Sequence, residues 1–113
     1  MSTLPQLKQD EYRRSRGGKA AFFVISCAKC GEKILLYQKD DPRGTLKRMY
    51  FDRIIKPSRL AKLVSAPIKT VPVLVCASCK HLIGVPYVYP KERRKAFLVS
   101  IGGVKKKLTN GEF

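Results

Sequence analysis

Two Cys-x-x-Cys pairs constrain this 113-residue chain more than any other feature. Cys27 and Cys30 form the first pair, Cys76 and Cys79 form the second, and the chain has no other cysteine. Two residues between cysteines let one tight turn direct both thiolates at a single ion, and two such turns supply the four sulfurs of a tetrahedral structural zinc site. The pattern therefore predicts one structural Zn²⁺ bound by Cys27, Cys30, Cys76 and Cys79.

The two pairs have similar surroundings. Each follows an apolar run, residues 21–25 and 71–75, and each leads into another, residues 34–37 and 82–89. Gly31 follows the first pair, where the chain often needs a positive φ so that N–H groups can point at sulfur, and Lys80 stands at the matching place in the second. Cys-x-x-Cys-Gly, a long insert and a second Cys-x-x-Cys resemble the zinc-ribbon superfamily. The resemblance implies a metal and a strand–knuckle–strand scaffold used twice, rather than one particular activity.

Other chemistry for the cysteines stays open at this point. A rubredoxin-like iron site uses the same four thiolates. Disulfides suit secreted proteins, but the N-terminus lacks the apolar region of a signal peptide, so reduced thiols in the cytoplasm are expected. A thioredoxin-type redox pair would occur once in a βαβ pattern, which the sequence does not show. His81 is read as a neighbouring or surface group, because four thiolates already complete the ligand set.

Short apolar runs and turn signals predict a small β-dominated, zinc-ribbon-like domain with two cysteine knuckles between antiparallel strands. The domain is expected over residues 20–104. Residues 57–63 predict one or two helical turns. Residues 1–19 are predicted to form a basic, flexible N-terminal tail and residues 105–113 a basic C-terminal tail, because both segments are polar and lack a sustained apolar period.

Charge is the second strong feature. The chain has 24 Lys and Arg against 8 Asp and Glu, a formal net charge of +16. Such an excess destabilises a compact chain by self-repulsion unless a polyanion screens it, so nucleic acid is the expected partner. A membrane partner would call for a basic amphipathic helix or an apolar run of about 20 residues, and the sequence has neither. The expected phosphate contacts are Arg13, Arg14, Arg16, Lys47, Arg48, Arg53, Lys91, Arg93, Arg94, Lys95, Lys105, Lys106 and Lys107.

The sequence does not predict an enzyme or a small-molecule substrate. One histidine, few carboxylates and no Gly-rich phosphate loop leave no evident nucleophile–base pair or nucleotide site. Asp40 and Asp41 precede Pro42 and Gly44, so they fit a turn better than a catalytic pair. A complete set of four thiolates also closes the metal to substrate, whereas catalytic zinc keeps one position open.

These features favour a zinc-binding protein that binds structured RNA, as a ribosomal or ribosome-associated component of a large ribonucleoprotein assembly. RNA is favoured over DNA because no recognition helix for the major groove is apparent. Aromatic residues beside basic ones, in 47–53 and 87–95, either stack on unpaired bases or pack in the core. The alternatives are a DNA-binding or transcription-associated zinc ribbon, a rubredoxin-like iron electron carrier, and an accessory subunit whose ribbon binds protein.

Overall fold

Two four-stranded antiparallel sheets make up most of the fold. The computed structural model describes residues 4–113, and residues 1–3 of the predicted N-terminal tail lie outside the described residues. The strands are β1 Ala20–Cys27, β2 Lys33–Asp40, β3 Arg48–Tyr50, β4 Ile54–Lys56, β5 Leu74–Val75, β6 Leu82–Tyr89, β7 Arg94–Val99 and β8 Val104–Thr109. The first sheet has the strand order β4-β2-β1-β8, and the second has the order β3-β7-β6-β5. The prediction of a small β-dominated, antiparallel domain is confirmed.

Helical structure is short and lies in the connections. Helix α1 covers Glu11–Ser15 and helix α2 covers Ser58–Ala61, within the stretch predicted to be helical. Single 3₁₀ turns occur at Phe51–Arg53, Lys62–Ser65 and Ile68–Thr70. Within residues 4–113, no helix has the length and apolar character needed to cross a membrane.

Strand β1 lies between two apolar clusters, because its alternate side chains point to opposite faces. Phe23 and Ile25 belong to the main core, which contains residues of both sheets, including Leu35 of β2 and Phe97 of β7. Phe22 and Val24 belong to a smaller cluster with Leu36, and Leu7 packs against it. Residues of the N-terminal segment therefore help to cover the outer face of the first sheet.

The N-terminal segment is attached to the domain, which corrects the prediction of a flexible tail over its described part. The buried Gln38 side chain accepts a hydrogen bond from the Lys8 N–H group at 2.6 Å and donates one to the Lys8 carbonyl at 3.0 Å. Asp10 caps helix α1 and also accepts from Arg53 Nη2 at 2.6 Å. Specific polar contacts with distant residues thus fix a segment whose own sequence is mainly polar.

Residues 104–109 form strand β8, which corrects the prediction of a C-terminal tail from residue 105. Strand β8 pairs with β1 in a continuous register that places Lys105 opposite Ser26 and Lys107 opposite Val24. The strand satisfies backbone groups of β1. β8 lies at the sheet edge, and its lysine side chains are exposed to water on the two faces of the sheet. A run of lysines is therefore compatible with this strand.

Candidate metal centre and basic surface

The four cysteine sulfurs come together where two hairpins meet. Cys27 ends β1 and Cys30 precedes β2 in the first sheet, whereas Cys76 and Cys79 lie between β5 and β6 in the second. All four Sγ atoms lie within 4.8 Å of one another. The Cys27–Cys79 sulfurs are 3.6 Å apart and the Cys30–Cys76 sulfurs 3.5 Å. Sulfurs bound tetrahedrally at roughly 2.3 Å from an ion are about 3.8 Å apart, so this spacing fits a four-thiolate metal site.

The two knuckles, residues 27–31 and 76–80, share one backbone arrangement. The Gly31 N–H group donates to the Cys27 carbonyl, and the Lys80 N–H group donates to the Cys76 carbonyl, each at 2.8 Å. Both turns end in the left-handed region, with φ of 82° at Gly31 and 66° at Lys80. Lys80 therefore adopts the conformation that glycine supplies in the first knuckle.

Backbone N–H groups at each knuckle favour the thiolate form of its first cysteine. The N–H group of Cys79 lowers the pKa of Cys76 to about 7, while burial opposes the shift and the N–H group of Ser78 adds to it. Burial raises the pKa of Cys27, but the N–H groups of Cys30 and of the residue before it contribute to a net downward shift. Thiolates are the form that binds metal, so the backbone around Cys27 and Cys76 favours the metal-binding form of these two sulfurs.

His81 is not part of the ligand group. Within the described chain, the cysteines form the only group of three or more His, Cys, Asp or Glu side chains close enough to hold one ion. The His81 carbonyl accepts the Cys76 N–H group at 2.9 Å, so this residue supports the second knuckle through its backbone.

Two predicted phosphate contacts are buried, which corrects their assignment. Arg53 is 1% exposed, and its guanidinium donates to Asp40 at 2.9 Å as well as to Asp10. Arg94 is 4% exposed and donates to Asp52 at 3.0 Å. Neither guanidinium can reach an external phosphate without breaking a buried ion pair.

Arg16 and the nearby tyrosines are also engaged inside the protein. Arg16 forms a bidentate pair with Glu92, at 2.7 and 2.9 Å. Arg94 lies between the rings of Tyr12 and Tyr50, at 3.9 and 3.7 Å from their centroids. Tyr50 is 8% exposed, so its ring packs in the protein rather than offering a stacking surface.

The other predicted contacts divide by exposure. Arg13 is half-buried and donates to the Gly18 carbonyl at 2.8 Å. Lys95 is half-buried and donates to the Val64 and Ala66 carbonyls. Arg48 is also half-buried. The exposed members of the predicted set are Arg14, Lys47, Lys91, Arg93, Lys105, Lys106 and Lys107.

Internal ion pairs leave the remaining surface more basic than the composition indicates. We call Arg16, Arg53 and Arg94, with their four carboxylate partners, the arginine network. The chain has 24 basic and 8 acidic residues, and the network contains three of the basic and four of the acidic ones. Outside the network, 21 basic and four acidic residues remain. Half of the protein's acidic residues are therefore paired within the network and unavailable to offset the outer lysines.

Three exposed lysines share the outer face of the first sheet. Ser26 pairs with Lys105 on one side and Lys33 on the other, and Lys107 lies opposite Val24. Lys33 and Lys107 line one shallow depression with these β1 residues. We call Lys33, Lys105 and Lys107 the lysine face. Lys33 was not among the predicted phosphate contacts, because only the strand register brings it beside the others.

Comparison with known proteins does not assign this chain to a family. No protein-family model matches the chain, and no curated protein or solved structure matches it. The likeness to zinc ribbons therefore depends on the two knuckles, their shared backbone geometry and the convergence of four sulfurs.

Proposed function

We propose that this protein is a structural zinc protein that binds structured RNA. The main support for zinc binding is the pair of matched knuckles, one from each sheet, whose sulfurs have the spacing of a tetrahedral thiolate site. Four protein thiolates leave no open position on the metal, so the proposed role of zinc is structural and not catalytic. Such a site needs reduced thiols, as in the cytoplasm.

Metal analysis tests the first half of the proposal. Protein purified under reducing conditions should contain about one zinc per chain, and Co²⁺ substitution should give the absorption of tetrahedral thiolate coordination. A Cys76→Ser variant should lose stoichiometric zinc. Near-stoichiometric iron would support the rubredoxin-like alternative, and two disulfides in native protein would contradict a metal site.

RNA binding is supported by the distribution of charge. Outside the arginine network, the chain has 21 basic and only four acidic residues. Such a basic surface attracts polyanions. The longest helix in residues 4–113 is Glu11–Ser15, which is too short to read a major groove convincingly. Irregular RNA offers phosphates in many orientations, so it suits a sheet surface with scattered lysines.

A pair of charge variants tests the second half. Lys105→Gln with Lys107→Gln removes two charges from the lysine face while keeping strand β8. Lys62→Gln with Lys69→Gln removes two exposed charges elsewhere and serves as the control. The first variant should bind a structured RNA more weakly than the control, with a smaller dependence of affinity on salt concentration.

Each outcome of this comparison is informative. Equal affinities for the two variants would contradict a role for the lysine face. Failure of the unmodified protein to bind RNA would contradict the proposed function, and preference for one duplex DNA sequence would support the transcription-associated alternative. Cosedimentation with ribosomes that is lost after zinc-preserving substitution of the lysine face would support the proposed ribosomal association.

A further inference from the structure

We propose that a cationic cavity beside strand β3 binds one phosphate group of the nucleic acid, an inference that rests on the proposed RNA-binding function. The cavity has a volume of about 130 Å³ and lies between the end of β2 and the start of β3. At roughly 30 Å³ per water molecule, it has room for a tetrahedral oxyanion. Lys39, Lys47 and Arg48 line it.

The cavity carries positive charge that the protein does not neutralise. Asp40 is the carboxylate that lines the cavity, and it forms an ion pair with Arg53 at 2.9 Å. Arg16 also lines the cavity, and its charge is neutralised by an ion pair with Glu92. Within residues 4–113, Lys39, Lys47 and Arg48 have no carboxylate within salt-bridge distance. The Lys39 Nζ atom already donates to the Asp41 and Arg43 carbonyls, at 2.7 and 2.9 Å. An anion in the cavity would therefore meet the charge of Lys39 together with the available donors of Lys47 and Arg48.

Hydrogen-bond donors also exceed acceptors in the cavity wall. The Tyr50 hydroxyl accepts bonds from Arg16 and Arg48, both at 3.2 Å. The hydroxyl of Tyr37, which is 2% exposed, accepts the Tyr50 N–H group at 2.8 Å. Among the described residues, neither phenol has an acceptor for its own hydrogen. A phosphate has several acceptor oxygens and no need to donate, so it matches this surplus.

Arg48 is held in place before any ligand arrives. Its Nε atom donates to the Tyr50 hydroxyl at 3.2 Å, and its guanidinium lies 4.1 Å from the centroid of the Tyr89 ring. These contacts leave the two terminal nitrogens free of partners within residues 4–113. A guanidinium with both terminal nitrogens available can bind two phosphate oxygens at once, so Arg48 is the main phosphate-binding side chain in the proposal.

The first experiment measures RNA affinity for two matched arginine variants. Arg48→Gln removes the main contact, and Arg59→Gln removes one exposed arginine from helix α2 as the control. We expect Arg48→Gln to weaken binding to an RNA hairpin roughly tenfold and to reduce the salt slope by about 0.7–0.9. Arg59→Gln should change affinity by less than about twofold. Unchanged zinc content and circular dichroism would establish that both variants are folded.

The second experiment identifies the source of the phosphate. Backbone amide signals of residues 45–50 are followed by NMR during titration with inorganic phosphate, and RNA affinity is compared for hairpins with a 5′-phosphate and a 5′-hydroxyl end. If affinity depends on the 5′-phosphate, the cavity binds a terminal phosphate of the RNA. If the two hairpins bind equally well, the cavity binds an internal phosphodiester. Phosphate-induced shifts that disappear in Arg48→Gln would support the cavity in either case.

The proposal and the general function fail in different ways. If the unmodified protein binds RNA but Arg48→Gln and Arg59→Gln bind it equally well, the phosphate cavity is overturned and RNA binding stands. If the unmodified protein does not bind RNA, the proposed function fails. An Arg48→Lys variant that keeps the charge but loses affinity would support bidentate recognition, and full affinity in that variant would contradict it.

Discussion

At the scale of single residues, the second knuckle carries a backbone cost that the first avoids. Lys80 has φ of 66°, where an L side chain crowds its own backbone, whereas Gly31 holds the equivalent place with φ of 82°. A non-glycine residue in this region costs roughly 1–2 kcal/mol. The turn tolerates it because the Lys80 N–H group bonds to the Cys76 carbonyl at 2.8 Å.

We predict opposite effects of exchanging residues at these two positions. Lys80→Gly should raise the free energy of unfolding by up to about 1 kcal/mol, because relief of strain is partly offset by the entropy of the unfolded glycine. Gly31→Ala should lower it by roughly 1 kcal/mol, because alanine is strained at a φ of 82°. The added Cβ atom would meet no other atom within 4 Å, so no steric clash adds to this cost. Denaturant unfolding of the zinc-loaded proteins measures both. A destabilising Lys80→Gly would contradict the strain argument.

Residue chemistry also marks where sequence reasoning fails. The cysteines were predictable because their spacing is local and the sulfurs of each pair must lie close together. Arg53 and Arg94 were not, because a basic residue beside aromatic ones has the same local pattern whether it binds phosphate or a carboxylate. The partners Asp10 and Asp52 lie 43 and 42 positions away in the chain, and only the folded structure brings them together.

At the scale of elements, strands with long apolar runs were predictable from the sequence, and the pairing of β8 with β1 was not. β1 and β2 contain the apolar runs at residues 21–25 and 34–37 that the sequence analysis identified beside the first knuckle. β8 contains three consecutive lysines, and its strand conformation depends on the register with β1. The N-terminal segment was misassigned for a similar reason, because its docking depends on Gln38 and Arg53.

We predict that acid, below about pH 4, weakens the attachment of the N-terminal segment. The hydrogen bond from Arg53 lowers the pKa of Asp10 to about 2, with burial opposing it, from an ordinary value of 3.8. A lowered folded-state pKa means that the carboxylate stabilises the fold above about pH 4. This contribution is lost as the pH falls from about 4 to 2.

Amide hydrogen exchange in helix α1 and unfolding measurements between pH 6 and 2 test this prediction. The Asp10→Asn variant is the control, since it cannot ionise at this position. The difference in unfolding free energy between the unmodified protein and Asp10→Asn should shrink as the pH falls through this window. A constant difference would mean that ionisation of Asp10 does not hold the segment.

At the scale of the whole molecule, the candidate metal site joins the two sheets. One knuckle connects β1 to β2 and the other connects β5 to β6, so each sheet supplies two sulfurs. The radius of gyration is 13.4 Å, and a domain of this size has limited apolar surface to bury. Binding energy at such a site becomes folding energy, because the unfolded chain does not hold the four sulfurs together.

We therefore predict that chelation weakens the whole fold rather than one loop. Metal removal should lower the free energy of unfolding by several kcal/mol, a large fraction of the roughly 5–15 kcal/mol typical of a domain. Thermal unfolding and NMR signal dispersion report the loss, and Zn²⁺ but not Mg²⁺ should restore both. Retention of the full melting temperature after verified metal removal would contradict a structural role.

The position of β8 has a consequence for solubility. An exposed sheet edge is a template for strands from other molecules, and lysines on such an edge oppose that pairing. We therefore expect Lys105, Lys106 and Lys107 to protect the β8 edge of the first sheet from self-association. Acetylation of these lysines removes their charge, so it should promote ordered aggregation through β8, and a proline on this strand should suppress it.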